Sequence, residues 1–241
     1  MSSKHSQILT LILIIAFSFC KPSYAIDPKI IEKTTKEAEQ GDAVAQVILG
    51  GIYRLGGYGV PQDFALAFKW FTKAAEQGHV LAYSNLGIMY ELGTGVPQDS
   101  VQAFKWLSKA AELGDADAQS QIGTMYGFGV GVRQNYTQAF KWYTKAAEQG
   151  NAPAQFYLGE MYRLGGGGVP QNYTKAIKWY TKAAELGDAD AQSNLADMYR
   201  LGDGVPQDCA KAFKWYTKAT EQGNEKAQRY LSSGLRSTTR C

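Results

Sequence analysis

The sequence predicts an all-α protein, a solenoid of stacked helical hairpins, and three observations carry that prediction. Trp70, Trp106, Trp142, Trp179 and Trp215 are spaced 36, 36, 37 and 36 residues apart. Around each, one stretch returns with small changes, as GVPQDFALAFKWFTKAAEQG at 59–78 and GVPQNYTKAIKWYTKAAELG at 168–187. Each unit also divides at a glycine-rich turn into two segments with helical periodicity. Regular self-similarity over a few tens of residues marks units that need a neighbour to bury their apolar faces.

The first 25 residues stand apart from this pattern. Lys4 and His5 precede an apolar run from Ile8 to Cys20, and Ser23-Tyr24-Ala25 sets small residues three and one before a cut. That is the layout of a secretory signal peptide, and its apolar core is short for a bilayer span. Phe19 is too bulky for a lipoprotein cut at Cys20. Export is therefore expected, to the periplasm or the medium, with cleavage between Ala25 and Ile26 and no membrane span afterwards. Cleavage removes Lys4 and Lys21 but no acid, so the formal charge falls from +3 to +1. A nearly balanced chain that is 45% hydrophobic is not disordered, and it offers no clustered basic face for nucleic acid. Cys209 and Cys241 remain, and whether they pair across the tail stays open.

Within each unit the first segment, helix A, opens with Asp42, Asp115, Asn151, Asp188 or Asn224. Such side chains accept from the unpaired amides of a first turn. His79 breaks the rule and reads as an exposed helix-entry residue. Ala45, Leu49, Ile52 and Tyr53, repeated as Ala82, Leu86, Met89 and Tyr90, form one buried stripe. Beside them stand Gly50, Gly87, Gly123 and Gly159, with Ala196 in the last unit. Glycine inside a helix costs about 1 kcal/mol against alanine, so its recurrence implies that another helix comes close.

Helix A ends at a turn such as Gly93-Thr94-Gly95, and Val96-Pro97 then prevents further helix. Arg133 replaces the proline in the third unit, which predicts a looser turn there. Asp63, Asp99, Asn135, Asn172 and Asp208 are placed to cap helix B. Asn135 and Asn172 also begin N-glycosylation sequons, but capping accounts for them better. Helix B carries Ala67, Phe68, Trp70, Phe71, Ala74 and Ala75, a broad apolar face. A single hairpin cannot cover its own tryptophan, so each indole is expected to be buried between neighbouring units. Glu76, Glu112, Glu148, Glu185 and Glu221 stand three residues after lysines, which reads as solvated surface ion pairs.

The organisation is thus a signal peptide at 1–25, an N-terminal half-unit at 26–41, five full units and a half-unit with tail at 224–241. The full units are 42–78, 79–114, 115–150, 151–187 and 188–223.

These residues carry a resemblance. The pattern A-x-x-x-L-G-x-M-Y-x-x-G-x-G-V, an Asp or Asn cap, then A-x-K-W and A-A-E-x-G, stands in Ala82 to Val96 and Ala103 to Gly114 and recurs in register. It is similar to the Sel1-like repeat family, which is related to tetratricopeptide repeats but has a longer unit. The resemblance implies a right-handed α/α superhelical solenoid that acts as a scaffold or adaptor for a protein or peptide. Cysteine-rich relatives bind penicillin and are described as β-lactamases, so a protein acting on β-lactams or peptidoglycan fragments is the alternative. Those relatives carry a disulfide in every repeat, which this chain lacks. An inert spacer is a third reading.

Catalytic constellations are nearly absent. After residue 25 there is no S-x-x-K, K-T-G, H-E-x-x-H, C-x-x-C or phosphate-binding loop, and His79 is the one histidine. No enzyme, cofactor or metal is expected. GFGVGV at 127–132 follows a helix rather than a strand, so the dinucleotide context is missing.

Residues needed for stacking recur between units, and residues released from that duty diverge. On helix A the divergent positions are 44, 48, 51 and 54 and their equivalents, which share one face. If helix A lines the inner curve, that face is a groove of mixed polarity, and Arg54, Glu91, Tyr157, Glu160, Arg163 and Arg200 are the expected partner contacts.

Overall fold

The computed structural model describes residues 28–57 and 59–232. The leader read at 1–25 and Cys241 lie outside them, so neither the expected cut nor the Cys209–Cys241 pair is addressed. Twelve α-helices and no β-strand occur among the described residues. They are α1 (Pro28–Glu39), α2 (Ala43–Leu55), α3 (Phe64–Glu76), α4 (Val80–Leu92), α5 (Ser100–Glu112), α6 (Ala116–Phe128), α7 (Tyr136–Glu148), α8 (Ala152–Leu164), α9 (Tyr173–Glu185), α10 (Ala189–Leu201), α11 (Cys209–Glu221) and α12 (Glu225–Ser232). None is long and apolar enough to cross a membrane.

The chain forms two compact units, one ending at Leu113 and one starting at Gly114. In the first, α2 pairs with α3 and α4 with α5, while α1 packs on α2 and α3 on α4. In the second, α6 pairs with α7, α8 with α9 and α10 with α11, while α7 packs on α8, α9 on α10 and α11 on α12. This is an α/α solenoid pattern, in which hairpins pack consecutively.

Capping fixes where each helix starts. Asp42, Asp115, Asn151 and Asp188 accept from the backbone N–H three residues on at 2.7–2.9 Å. Asp63, Asn135, Asn172 and Asp208 do the same for the second helices at 2.8–3.0 Å. His79 makes no side-chain cap. Contrary to expectation it is half-buried, and burial pulls its imidazole below the usual range, partly offset by the charge of Asp42. The turns close on themselves as well. Asp99 N–H donates to Tyr90 O at 2.9 Å, Asn135 N–H to Tyr126 O at 2.8 Å and Asp208 N–H to Tyr199 O at 2.8 Å. The turn with Arg133 is therefore closed as tightly as the two with proline, because these bonds use backbone that proline does not supply.

The recurring helix glycines sit where a second helix presses in. A Cβ on Gly50 would meet Phe71 at 2.8 Å, on Gly87 Leu107 at 2.5 Å, on Gly123 Tyr143 at 2.7 Å and on Gly159 Tyr180 at 2.7 Å. These partners, with Tyr216, are all nearly fully buried. Each is the residue after the tryptophan.

The tryptophans themselves depart from expectation. Only Trp70 is buried, and the other four are half-exposed. The next side chain points about 100° further round the helix, into the glycine slot, and an indole is too large for that slot. The indole instead reaches back across the seam: Trp179 leans on the core of α7 and α8, and Trp215 on that of α9 and α10. Its outer face is covered by the lysine three residues on. Lys73, Lys109, Lys145, Lys182 and Lys218 place Nζ 4.2–4.6 Å from the ring centroids. The expected ion pairs between these lysines and the following glutamates do not form among the described residues. A lysine stem along a ring keeps its charge in water while covering apolar surface.

A glutamine staple joins the hairpins, and the sequence reading missed it. Gln46, Gln155 and Gln192 are buried in α2, α8 and α10, and each donates Nε2 to the last turn of the preceding helix, at Ala38 O, Ala147 O and Ala184 O (3.0–3.1 Å). Gln77, Gln149 and Gln222 then donate to Oε1 of Gln46, Gln119 and Gln192 at 2.7–2.9 Å. The signal available in the sequence was the recurrence of glutamine four residues after the cap.

Candidate functional site

The divergent face of the first helices is best formed in the second unit. The divergence of residues there puts an acid three residues before an arginine on α8 and again on α10, each beside a tyrosine of the following helix. On α8, Arg163 donates to Glu160 through Nε (3.2 Å) and Nη2 (2.8 Å), and its Nε also reaches the Tyr180 hydroxyl at 3.1 Å. Tyr180 donates its proton to Glu160. On α10 the motif recurs: Arg200 reaches Asp197 at 3.3 Å and the Tyr216 hydroxyl at 3.3 Å, and Tyr216 donates to Asp197.

The two triads are cross-linked from repeat to repeat. Asn194 Nδ2 donates to Glu160 at 2.7 Å, while Lys226 Nζ donates to Asn194 Oδ1 at 2.8 Å and pairs with Asp197 at 2.5 Å. Burial opposes ionisation of Glu160, but hydrogen bonds from Arg163 and Tyr180 and the charges of Arg163 and Lys226 outweigh it. The carboxyl is held below its usual range. Burial likewise opposes charge on Asp197, and Lys226, Tyr216 and Arg200 again bring it down. Burial and the neighbouring carboxylate push the Tyr180 hydroxyl far up, so it stays a donor.

The six expected contacts are thus differently placed. Glu160 and Arg163 are paired with each other, and Arg200 is held by Asp197 and Tyr216 with its guanidinium over the Tyr230 ring. Tyr157 stacks on Tyr143 at 5.1 Å. In the first unit Glu91 is exposed at the end of α4, and Arg54 is half-buried at the end of α2. Arg54 faces Gly51 and Phe71 positions where α8 has Glu160 and Tyr180, so its Nε is buried without a hydrogen-bond partner and burial lowers its pKa. Ile48, on the same divergent face, is buried at 6%, so that face is partly closed in the first repeat.

A cavity of about 490 Å³ opens in the second unit between α6, α7 and α8. Its walls include Tyr136, Tyr143, Phe156 and Tyr157, and Glu160 is its one charged lining residue. Among the described residues no group of three or more His, Cys, Asp and Glu side chains is placed to hold a metal ion.

The Sel1 repeat model matches residues 43–79, 80–115, 116–151, 152–188 and 189–224. The chain belongs to the Sel1 repeat family. Repeats of this family generally mediate protein interactions. Among solved structures, this Sel1 repeat chain is similar to a protective antigen of uropathogenic Escherichia coli that displays an SLR fold. The TM-score is 0.80 at 40% identity, over 84% of this chain and 43% of that one. It is also similar to a Sel1 repeat protein from Oxalobacter formigenes, with TM-score 0.76 and 37% identity over 86% of this chain and 59% of that one. The chain therefore spans about half the length of these two relatives. Immunity protein Pa5087 from Pseudomonas aeruginosa shares the fold at TM-score 0.52 and 25% identity, over 97% of this chain and 84% of that one. No curated protein matches.

Proposed function

We propose that this Sel1 repeat protein is an exported, non-enzymatic scaffold that receives a segment of another protein on the divergent face of its first helices. The observation that carries the reading is the polar ladder from Arg163 through Glu160, Asn194 and Lys226 to Asp197. It holds Glu160, Arg163 and Asp197 half-buried and pre-positioned, with the exposed Lys226 as a bridge, across three successive repeats. Fixed donors and acceptors of this kind lose little side-chain entropy when a partner docks. The likeness to an antigen and to an immunity protein fits a chain that meets other proteins, and the apolar run from Ile8 to Cys20 before Ser23-Tyr24-Ala25 supports export.

Capture with crosslinking tests the reading. Wild-type protein retains a partner, and Glu91→Lys or Tyr157→Ala reduces retention at least tenfold with helicity unchanged. Equal retention by both variants contradicts it. For export, the secreted or periplasmic chain begins at Ile26, and a chain that keeps Met1 and remains inside the cell contradicts that part.

A further inference from the structure

The third repeat contains an unfinished copy of the triad. Gly127, Arg163 and Arg200 occupy the same place on α6, α8 and α10, and Tyr143, Tyr180 and Tyr216 the same place on the following helices. In the two complete triads the tyrosine hydroxyl donates to an acid and accepts from the arginine. Tyr143 donates to Thr124 Oγ1 at 3.0 Å, and Gly127 supplies no side chain to donate back. Its oxygen thus keeps an acceptor site that its two counterparts use. A Cβ on Gly127 would lie 3.9 Å from that oxygen, so the volume an arginine would fill is open. That volume is part of the cavity described above.

We propose that this cavity takes the side chain of an arginine from a bound peptide, which completes the triad in trans. The cavity suits that group on three counts. Aromatic faces of Tyr136 and Tyr157 can flank the stem and the planar guanidinium. Tyr143 offers the vacant acceptor. Glu160 is the one charged lining residue, and its Oε2 accepts only from Arg163 Nη2 among the described residues. An apolar side chain would fill the space but leave the acceptor site of the Tyr143 oxygen without a donor. The proposal rests on the peptide-binding reading above and names one residue of the segment recognised.

The test is a titration of the purified protein with blocked tripeptides, acetyl-Gly-X-Gly-amide, followed by the ring resonances of Tyr143 and Tyr157. With X as arginine, saturable shifts appear, at least tenfold tighter than with citrulline, norleucine or lysine. Gly127→Arg supplies the missing side chain internally, and its Cβ meets only ordinary contacts at 3.8 and 3.9 Å. It abolishes binding while the thermal transition is kept. Thr124→Glu restores the acid of the other triads and tightens arginine binding severalfold. Should Gly127→Arg disturb the fold, Thr124→Glu still decides. Equal binding of norleucine or citrulline, equal binding of lysine, no binding at all, or indifference to Thr124→Glu each overturn the proposal. If the arginine peptide fails while Glu91→Lys still releases a captured partner, this cavity assignment falls and the broader reading stands.

Discussion

The side-chain amide of Gln77, at the end of α3, donates to Oε1 of Gln46 on α2 at 2.9 Å, and Gln46 in turn donates to Ala38 O on α1. One buried amide therefore ties three successive helices. The same relay needs a glutamine at both places in every repeat. In the fourth, Leu186 stands where Gln77, Gln149 and Gln222 stand, and Gln155 Oε1 is buried without a partner.

Leu186→Gln should therefore stabilise the protein. Leu186 is 61% exposed, so little apolar burial is lost, and a hydrogen bond to a buried acceptor is worth about 0.5–1.5 kcal/mol. Urea denaturation followed at 222 nm should show a higher midpoint than wild type. A lower midpoint would show that Oε1 is already satisfied.

Two glycines on the first helices of successive repeats should respond oppositely to alanine. Gly159→Ala drives a Cβ to 2.7 Å from the Tyr180 ring, and overpacking of this kind costs about 1–3 kcal/mol, more than the ~1 kcal/mol gained in helix propensity. Gly127→Ala meets nothing nearer than 3.8 Å and keeps most of that propensity gain. Thermal melts of the two variants should move in opposite directions.

The recurring glycines Gly50, Gly87, Gly123 and Gly159 also show how far the sequence could be read. Their recurrence inside helices announced a close approach, and the caps at Asp42, Asn151 and Asn172 were legible because a short acceptor before an apolar period has one physical use. Which aromatic filled the slot was not legible. Trp70 and Phe71 are adjacent, both apolar and both near the edge of the same stripe, and a period of 3.6 residues cannot rank them. Size favoured the indole, and the geometry of the slot chose its neighbour. Gln46 and Tyr180 were missed for another reason. A glutamine or a tyrosine hydroxyl on a helix looks like a solvated group until the partner one repeat away is known. Arg163 and Glu160 were expected as open contacts, and the structure pairs them, since divergence between repeats shows release from stacking without showing the new partner.

Acid should loosen the second unit. Glu160 and Asp197 both titrate below their ordinary values of 4.5 and 3.8 in the folded chain. A depressed carboxyl contributes stability that is complete above its unfolded pKa and is lost as pH falls through the folded one. The melting temperature should therefore fall as pH drops below about 4.5, the ordinary glutamate value. Glu160→Gln should lower stability at neutral pH and flatten that acid limb. An acid limb as steep as wild type would remove Glu160 from the account.

Lys182→Ala should open the outer face of Trp179. The ammonium lies 4.6 Å from the ring centroid, and an exposed contact of this type is worth about 0.5–1 kcal/mol. Fluorescence quenching by acrylamide should increase while helicity is unchanged. Unchanged quenching would mean that the lysine does not cover the ring in solution.

The central claim is that partners dock on the divergent face of the first helices. A photoreactive residue placed at Tyr157, and in a control at the exposed Lys178 on α9, tests it most directly. The account predicts one defined protein adduct from position 157 and none from 178. Adducts of equal yield from both positions, or from 178 alone, would contradict it.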